Sequence, residues 1–206
     1  MRSLLSAKGH SVFTPTLTGL GERVHLASPK VNLSTHFTDV VNCLYFEDLR
    51  EIVLVGHSYG GIVITGVADR VPERIAHLVY LDAFLPNDGH SAFDMAAFPL
   101  KSNDWLIPLP DPPPNETSEQ AWGRVRLVPH PLATLEERLH LSQGLETRSF
   151  TRTYIKAGAE PRNSGNPSFW RAADRVRYDP AWRYIELPCG HSIHREMPEQ
   201  LVALLA

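Results

Sequence analysis

Ser58 lies in Gly56-His57-Ser58-Tyr59-Gly60, between the β-branched apolar run Ile52-Val53-Leu54-Val55 and a second apolar run, Gly61-Ile62-Val63-Ile64. A serine on a sharp strand-to-helix turn suits nucleophilic chemistry, because the turn exposes Oγ and leaves it at a helix N-terminus. The free N–H groups there, that of Tyr59 first, can hold a developing oxyanion. Gly56 and Gly60 are expected because a Cβ at either would strike neighbouring backbone. Gly-x-Ser-x-Gly also arises by chance in glycine-rich loops, but here strand and helix signals flank it on the correct sides. It matches neither Gly-x-Gly-x-x-Gly nor a phosphate loop ending in Gly-Lys-Ser/Thr, which argues against nucleotide binding.

A serine is a poor nucleophile at neutral pH without a base, and the base needs an acid to fix its tautomer. Among ten histidines, His191 in Leu187-Pro188-Cys189-Gly190-His191 follows the last strand and closes the chain order serine, acid, histidine. His194 is its nearest rival, one helical turn on, and reads more readily as a surface histidine. His57 reads as a packing residue facing away from the nucleophile, and His25 as lining a pocket mouth or the surface. His10, His36, His77, His90, His130 and His140 carry no spacing signal. Two carboxylates compete as the acid. Asp82 ends the apolar strand Leu78-Val79-Tyr80-Leu81, where parallel sheets collect their chemistry; Glu160 sits in the loop Gly158-Ala159-Glu160-Pro161 after the next strand. The order admits both, with Asp82 preferred. His191 and His194 alone lack the spacing of a metal site, so no metal or other cofactor is expected.

These side chains need elements to hold them. A helix ends at Gly9, a strand spans 12–16, and a helix capped by Ser34 runs to about Asp48 with Phe37, Val40, Val41 and Leu44 on one face. Ile52–Val55, wholly apolar, suits a sheet covered on both faces. Strands at 75–81, 152–156 and 182–187 alternate with helices near 60–71, 168–177 and 198–205. That order is α/β with a mostly parallel sheet and helices on both faces. Residues 84–150 interrupt it with Leu106-Ile107-Pro108-Leu109-Pro110-Asp111-Pro112-Pro113-Pro114, Trp105 and Trp122, then a helical stretch at 135–145. Such proline density cannot continue a sheet, so 84–150 is expected to be a lid inserted into one domain spanning 1–206.

The chain has 206 residues, 43% of them hydrophobic, which suits one sizeable core, and a net charge of −3 with interspersed signs. No basic stripe recommends nucleic acid, and no apolar stretch is long enough for a bilayer. Cys43 and Cys189 are too few for a disulfide framework, making a reducing cytoplasm the expected location.

Taken together, Thr16-Leu17-Thr18-Gly19-Leu20-Gly21-Glu22-Arg23, the elbow through Gly61, Tyr80-Leu81-Asp82-Ala83-Phe84-Leu85-Pro86, Pro129-His130-Pro131-Leu132-Ala133-Thr134 and Gly190-His191 resemble the α/β-hydrolase superfamily. Within it the chain is similar to the small esterases of the plant methylesterase and hydroxynitrile lyase branch, over nearly its whole length. The resemblance implies Ser58 as nucleophile, His191 as base and the Tyr59 N–H as one oxyanion donor, acting on a small carboxylic ester; related branches of the superfamily place the acid at the position matching Asp82, with Glu160 the alternative. It implies as alternatives a catalytically weak small-molecule binding protein, or a lyase or cofactor-independent oxygenase on the same fold. Ser192 stands where the lyases carry a lysine, which argues against cyanohydrin cleavage. The family's N-terminal strands and His-Gly oxyanion loop have no counterpart here, so the expected fold is an N-terminally truncated one with open strand edges, and a homodimer is among the expected states.

Overall fold

The computed structural model describes residues 1–96, 104–109, 111–112, 114–159, 161–162 and 167–206. In chain order, helix α1 (Arg2–Ala7) and a 3₁₀ turn (Gly21–Leu26) precede α2 (Leu33–Phe46), β1 (Ile52–Ser58), α3 (Gly60–Arg70) and β2 (Ile75–Ala83). Short elements then follow: α4 (Ala92–Met95), β3 (Leu106–Ile107), α5 (Ser118–Arg124), β4 (His130–Pro131) and α6 (Ala133–Glu136). The regular alternation resumes with β5 (Thr151–Ala157), α7 (Pro167–Val176), β6 (Arg183–Leu187), α8 (Ile193–Glu196) and α9 (Pro198–Leu205).

Four parallel strands form the sheet, in the order β1-β2-β5-β6. Alternation along β2 divides the core. Leu78 and Tyr80 pack with Tyr154, Ile64 of α3 and Trp170, Ala173 and Val176 of α7. Val79 and Leu81 pack with Ile155, Ile193 and Leu201 beneath α8 and α9. Such two-sided cover is what the unbroken apolar character of β2 requires. A further cluster, with Phe37, Val40, Ile62 and Val67, joins α2 to α3. Phe37 lies so close to Gly66 that an added Cβ there would come within 2.4 Å of its ring.

Several local expectations are corrected. Residues 12–16 form no strand: among the described residues no ladder partner lies alongside them, and Arg23 and Asp39 tie the following loop to α2 through Thr16 and Thr18. Strand β1 is the sheet's edge among the described residues, with Val53 47% exposed, so it is not covered on both faces. The cap of α2 is Asn32, which exchanges bonds with Thr35; Ser34 instead binds the Glu137 carboxylate through its N–H and hydroxyl. The helix expected over 135–145 stops at Glu136, because Leu139 exchanges backbone bonds with Gly89 and His90.

Candidate active site

The register of the sheet brings the chemistry to one end. His57 pairs with Leu81 and Ser58 with Ala83, so an irregularity leaves Asp82 opposite the junction of His57 and Ser58. Ala157 pairs with Leu187 at the same end, and His191 follows four residues later. This is the carboxyl edge of a parallel sheet.

Both strand tips are strained there. Ser58 has φ 55° and Asp82 φ 41°, left-handed values that non-glycine residues adopt at a cost of about 1–3 kcal/mol. Close approach of α3 to the two tips supports them. A Cβ at Gly56 would come 2.5 Å from the Gly60 carbonyl oxygen, and one at Gly61 would come 2.1 Å from that of Phe84. Gly60 meets nothing within 4 Å, so the second crowded glycine is Gly61 rather than Gly60. The Phe84 N–H donates to the Ser58 carbonyl, 3.1 Å, joining the tips directly.

Asp82, 1% exposed, accepts from His191 Nδ1 at 2.6 Å through one oxygen and from Lys156 Nζ at 2.7 Å through the other, which also faces the Ala157 N–H. Burial pushes the Asp82 carboxyl up, but the bonds from His191 and Lys156 outweigh burial and hold it below the usual carboxylate range. With Nδ1–H committed to the carboxylate, Nε2 of His191 is left as the basic atom. The His191 ring lies parallel to Phe169 with centroids 4.9 Å apart, and the Gly190 N–H is anchored by Glu196.

His57 does not face away, as its place beside Ser58 suggests. Its ring sits 4.5 Å from that of His191, and Nε2 donates to the His191 carbonyl at 2.9 Å. Burial first, and His191 second, depress its pKa to about 4, so it is a neutral strut under the histidine loop. His194 packs edge-on against His57, and His25 is exposed with its ring bonded to Glu22 O.

Tyr59, at the start of α3, is anchored from behind. Its hydroxyl donates to Nδ1 of the fully buried His36, whose Nε2–H donates to Thr18 O. Burial lowers the His36 pKa and so favours this neutral tautomer. His130 meets both rings edge-on, and burial followed by His36 depresses its pKa to about 4. A lone histidine with no spacing partner gives no sign of this cluster in the sequence.

A family model for the alpha/beta hydrolase family matches residues 1–204. The chain is an α/β-hydrolase. A carbendazim hydrolyzing esterase of Nocardioides sp. strain SG-4G is 39% identical to it, over 98% of this chain and 89% of that protein. Methylesterase 2 of Arabidopsis thaliana is 34% identical over 37% of this chain and 35% of that protein. Among solved structures, an extracellular α/β-hydrolase from a Paenibacillus species superposes with a TM-score of 0.80 at 26% identity, covering 98% and 89% of the two chains.

In this α/β-hydrolase the rival acid, Glu160, lies outside the described residues. Ser58 Oγ makes no side-chain hydrogen bond among the described residues, and such bonds commonly tighten only when substrate arrives. Ser192 begins the turn into α8, where its carbonyl accepts from Arg195 and Glu196. Lys156 belongs to no motif of the sequence, yet it reaches Asp82. Its signal was a charge at the inner end of the otherwise uncharged run Thr153-Tyr154-Ile155.

Proposed function

We propose that this α/β-hydrolase cleaves a small carboxylic ester through an acyl-enzyme formed on Ser58. The observation that carries the reading is the Asp82–His191 bond at the strand end where the strained Ser58 emerges. His191 Nε2 takes the Ser58 proton as Oγ attacks the carbonyl carbon, and the oxyanion accepts the Tyr59 N–H. The tetrahedral intermediate collapses, His191 delivers the proton to the departing alkoxide, and the alcohol leaves. Water then repeats the sequence: His191 removes its proton, the acyl–Oγ bond breaks, and Ser58 recovers a proton as the acid departs. Asp82 stays ionised throughout and stabilises the imidazolium. Esterase activity in the carbendazim hydrolyzing relative supports the reaction class.

Within this reading 84–150 serves as a lid inserted into a single domain. No helix among the described residues is long and apolar enough to cross a membrane, and two free thiols, Cys43 and Cys189, favour a reducing compartment such as the cytoplasm. The open edge of β1 favours self-association as a homodimer. A fluorophosphonate probe tests the site: it is expected to label the native protein at Ser58, and neither Ser58→Ala nor His191→Ala. Equal labelling of Ser58→Ala refutes the assignment.

The same edge favours a second reading, a pocket kept mainly for binding, since among the described residues no strand flanks the elbow on that side. Saturable binding of a small apolar ester that persists in Ser58→Ala, without turnover in the native protein, distinguishes it.

A further inference from the structure

Lys156 and Asp82 form an ion pair with both side chains only 2% exposed. A buried ammonium is costly to desolvate, and this one is fully occupied by its surroundings. Nζ donates to Asp82 at 2.7 Å and to the Ala157 carbonyl at 2.6 Å, and it lies 4.3 Å from the centroid of the Trp170 ring. Catalysis by a Ser-His-Asp set does not call for this cation. It sits on the one carboxylate that orients the base.

Without a lysine, protonating the histidine takes a buried Asp–His pair from −1 to 0, a change the carboxylate favours. With Lys156 the same proton takes the three-member group from 0 to +1, so the lysine opposes it. Among the described residues, the other titratable or charged groups near this site are His57, His194, Cys189, Tyr154, Glu186, Glu196, Arg162, Arg195 and the N-terminal amine. His57 is neutral near pH 7, and burial raises the Cys189 thiol and the Tyr154 phenol. Glu196 is held by the Gly190 N–H and Arg162 pairs with Asp174. Lys156 is therefore the cation in direct contact with the acid.

We propose that Lys156 is a positioning residue that holds Asp82 ionised and turned toward His191, and that its charge extends the reactivity of Ser58 into mildly acidic water. The proposal rests on the Ser58–His191–Asp82 reading.

The test is the rate of phosphonylation of Ser58 by a fluorophosphonate, in which the serine oxygen bonds to phosphorus and fluoride leaves, followed from pH 4.5 to 9. Lys156→Gln and Lys156→Met remove the charge, the first keeping a donor for Asp82; whichever retains a cooperative melting transition is scored. The acid limb is expected to move to higher pH by about one unit, and Lys156→Arg is expected to return it to the native position. A neutral variant whose limb coincides with that of the native protein overturns the proposal, as does an arginine variant that shifts as far as glutamine. The native protein supplies an independent measurement, since ¹⁵N-lysine spectra must show a charged, slowly exchanging ammonium at Lys156 between pH 5 and 8, and its absence overturns the proposal without any variant. Ser58→Ala labelled as fast as the native protein refutes the underlying site instead.

Discussion

Acid should weaken this fold well above the range where its carboxylates protonate. His57 and His130 are held neutral by burial, with pKa values depressed to about 4, against about 6.5 in an unfolded chain. Between those values the unfolded state binds more protons, so stability rises with pH; their contribution is complete above about pH 6.5 and is lost as pH falls toward 4. Evaluating the linkage between pH 7 and pH 5 gives about 2 kcal/mol for each histidine, or about 4 kcal/mol together. That is a large share of the 5–15 kcal/mol typical of a domain. Asp82 and Asp69, whose carboxyls lie below the usual range despite burial, lose their contributions only below about pH 4 and leave this window alone. Urea unfolding followed by tryptophan fluorescence at half-unit intervals measures the slope. His57→Gln and His130→Gln should each remove about 2 kcal/mol of the loss between pH 7 and pH 5, whatever either costs at pH 7, and the remaining slope belongs to His36, His77 and His194, whose pKa values burial also lowers. An unchanged slope in the double variant would refute the assignment of the acid sensitivity to these two rings.

Three further outcomes separate local causes. Gly61→Ala forces a Cβ to 2.1 Å from the Phe84 carbonyl and should cost about 3 kcal/mol or more, whereas Gly60→Ala, meeting nothing, should be neutral or stabilising by up to about 1 kcal/mol; thermal melts of the pair decide. Asn32→Ala removes the cap of α2 and should cost about 1 kcal/mol in urea, with the fluorophosphonate labelling rate unchanged. Tyr59→Phe deprives His36 Nδ1 of its partner; a loss of about 1–2 kcal/mol is expected, together with slower labelling of Ser58, and a variant that melts lower but labels at the native rate would disconnect the buried histidine from the elbow.

What the sequence disclosed follows from how local each signal is. Strand β2 and the elbow were legible because a run of apolar residues, a turn and a helix start lie next to one another in the chain. Asp82 was legible as a candidate because it ends such a run. The bare face of β1 was not, since an apolar run reads the same whether both of its faces are covered or one is open, and only its neighbours decide. Asn32 lost to Ser34 as the expected cap because both are good caps two residues apart, and the choice turns on Glu137, about a hundred residues away, which claims Ser34. The roles of His36, His57 and Lys156 were hidden for the same reason: each depends on a partner from a different element, and no spacing within the chain records it.

The two left-handed residues show how the fold holds the geometry its chemistry needs. Left to local preference, Ser58 and Asp82 would relax out of positive φ, and Oγ and the carboxylate would swing away from the sheet end. Ties to the following residues oppose that. The Tyr154 hydroxyl donates to the Ala83 carbonyl at 2.8 Å and accepts from the Ala83 N–H at 3.3 Å, fixing the residue after Asp82. On the elbow side, Thr65 Oγ1 donates to the Gly61 carbonyl and accepts from the Tyr80 hydroxyl, so the first turn of α3 is tied to the strand that carries Asp82. Tyr80 and Tyr154 are both fully buried, with parallel rings 6.3 Å apart. Removing either hydroxyl would leave buried backbone or hydroxyl groups unpaired at about 1–3 kcal/mol, comparable with the strain stored at one tip. Tyr154→Phe and Tyr80→Phe should therefore lower stability while also slowing the labelling of Ser58, the first through Asp82 and the second through the elbow. If both variants lose stability yet label Ser58 at the native rate, the positive φ values need no such support, and the strain is held by the crowding of Gly56 and Gly61 alone.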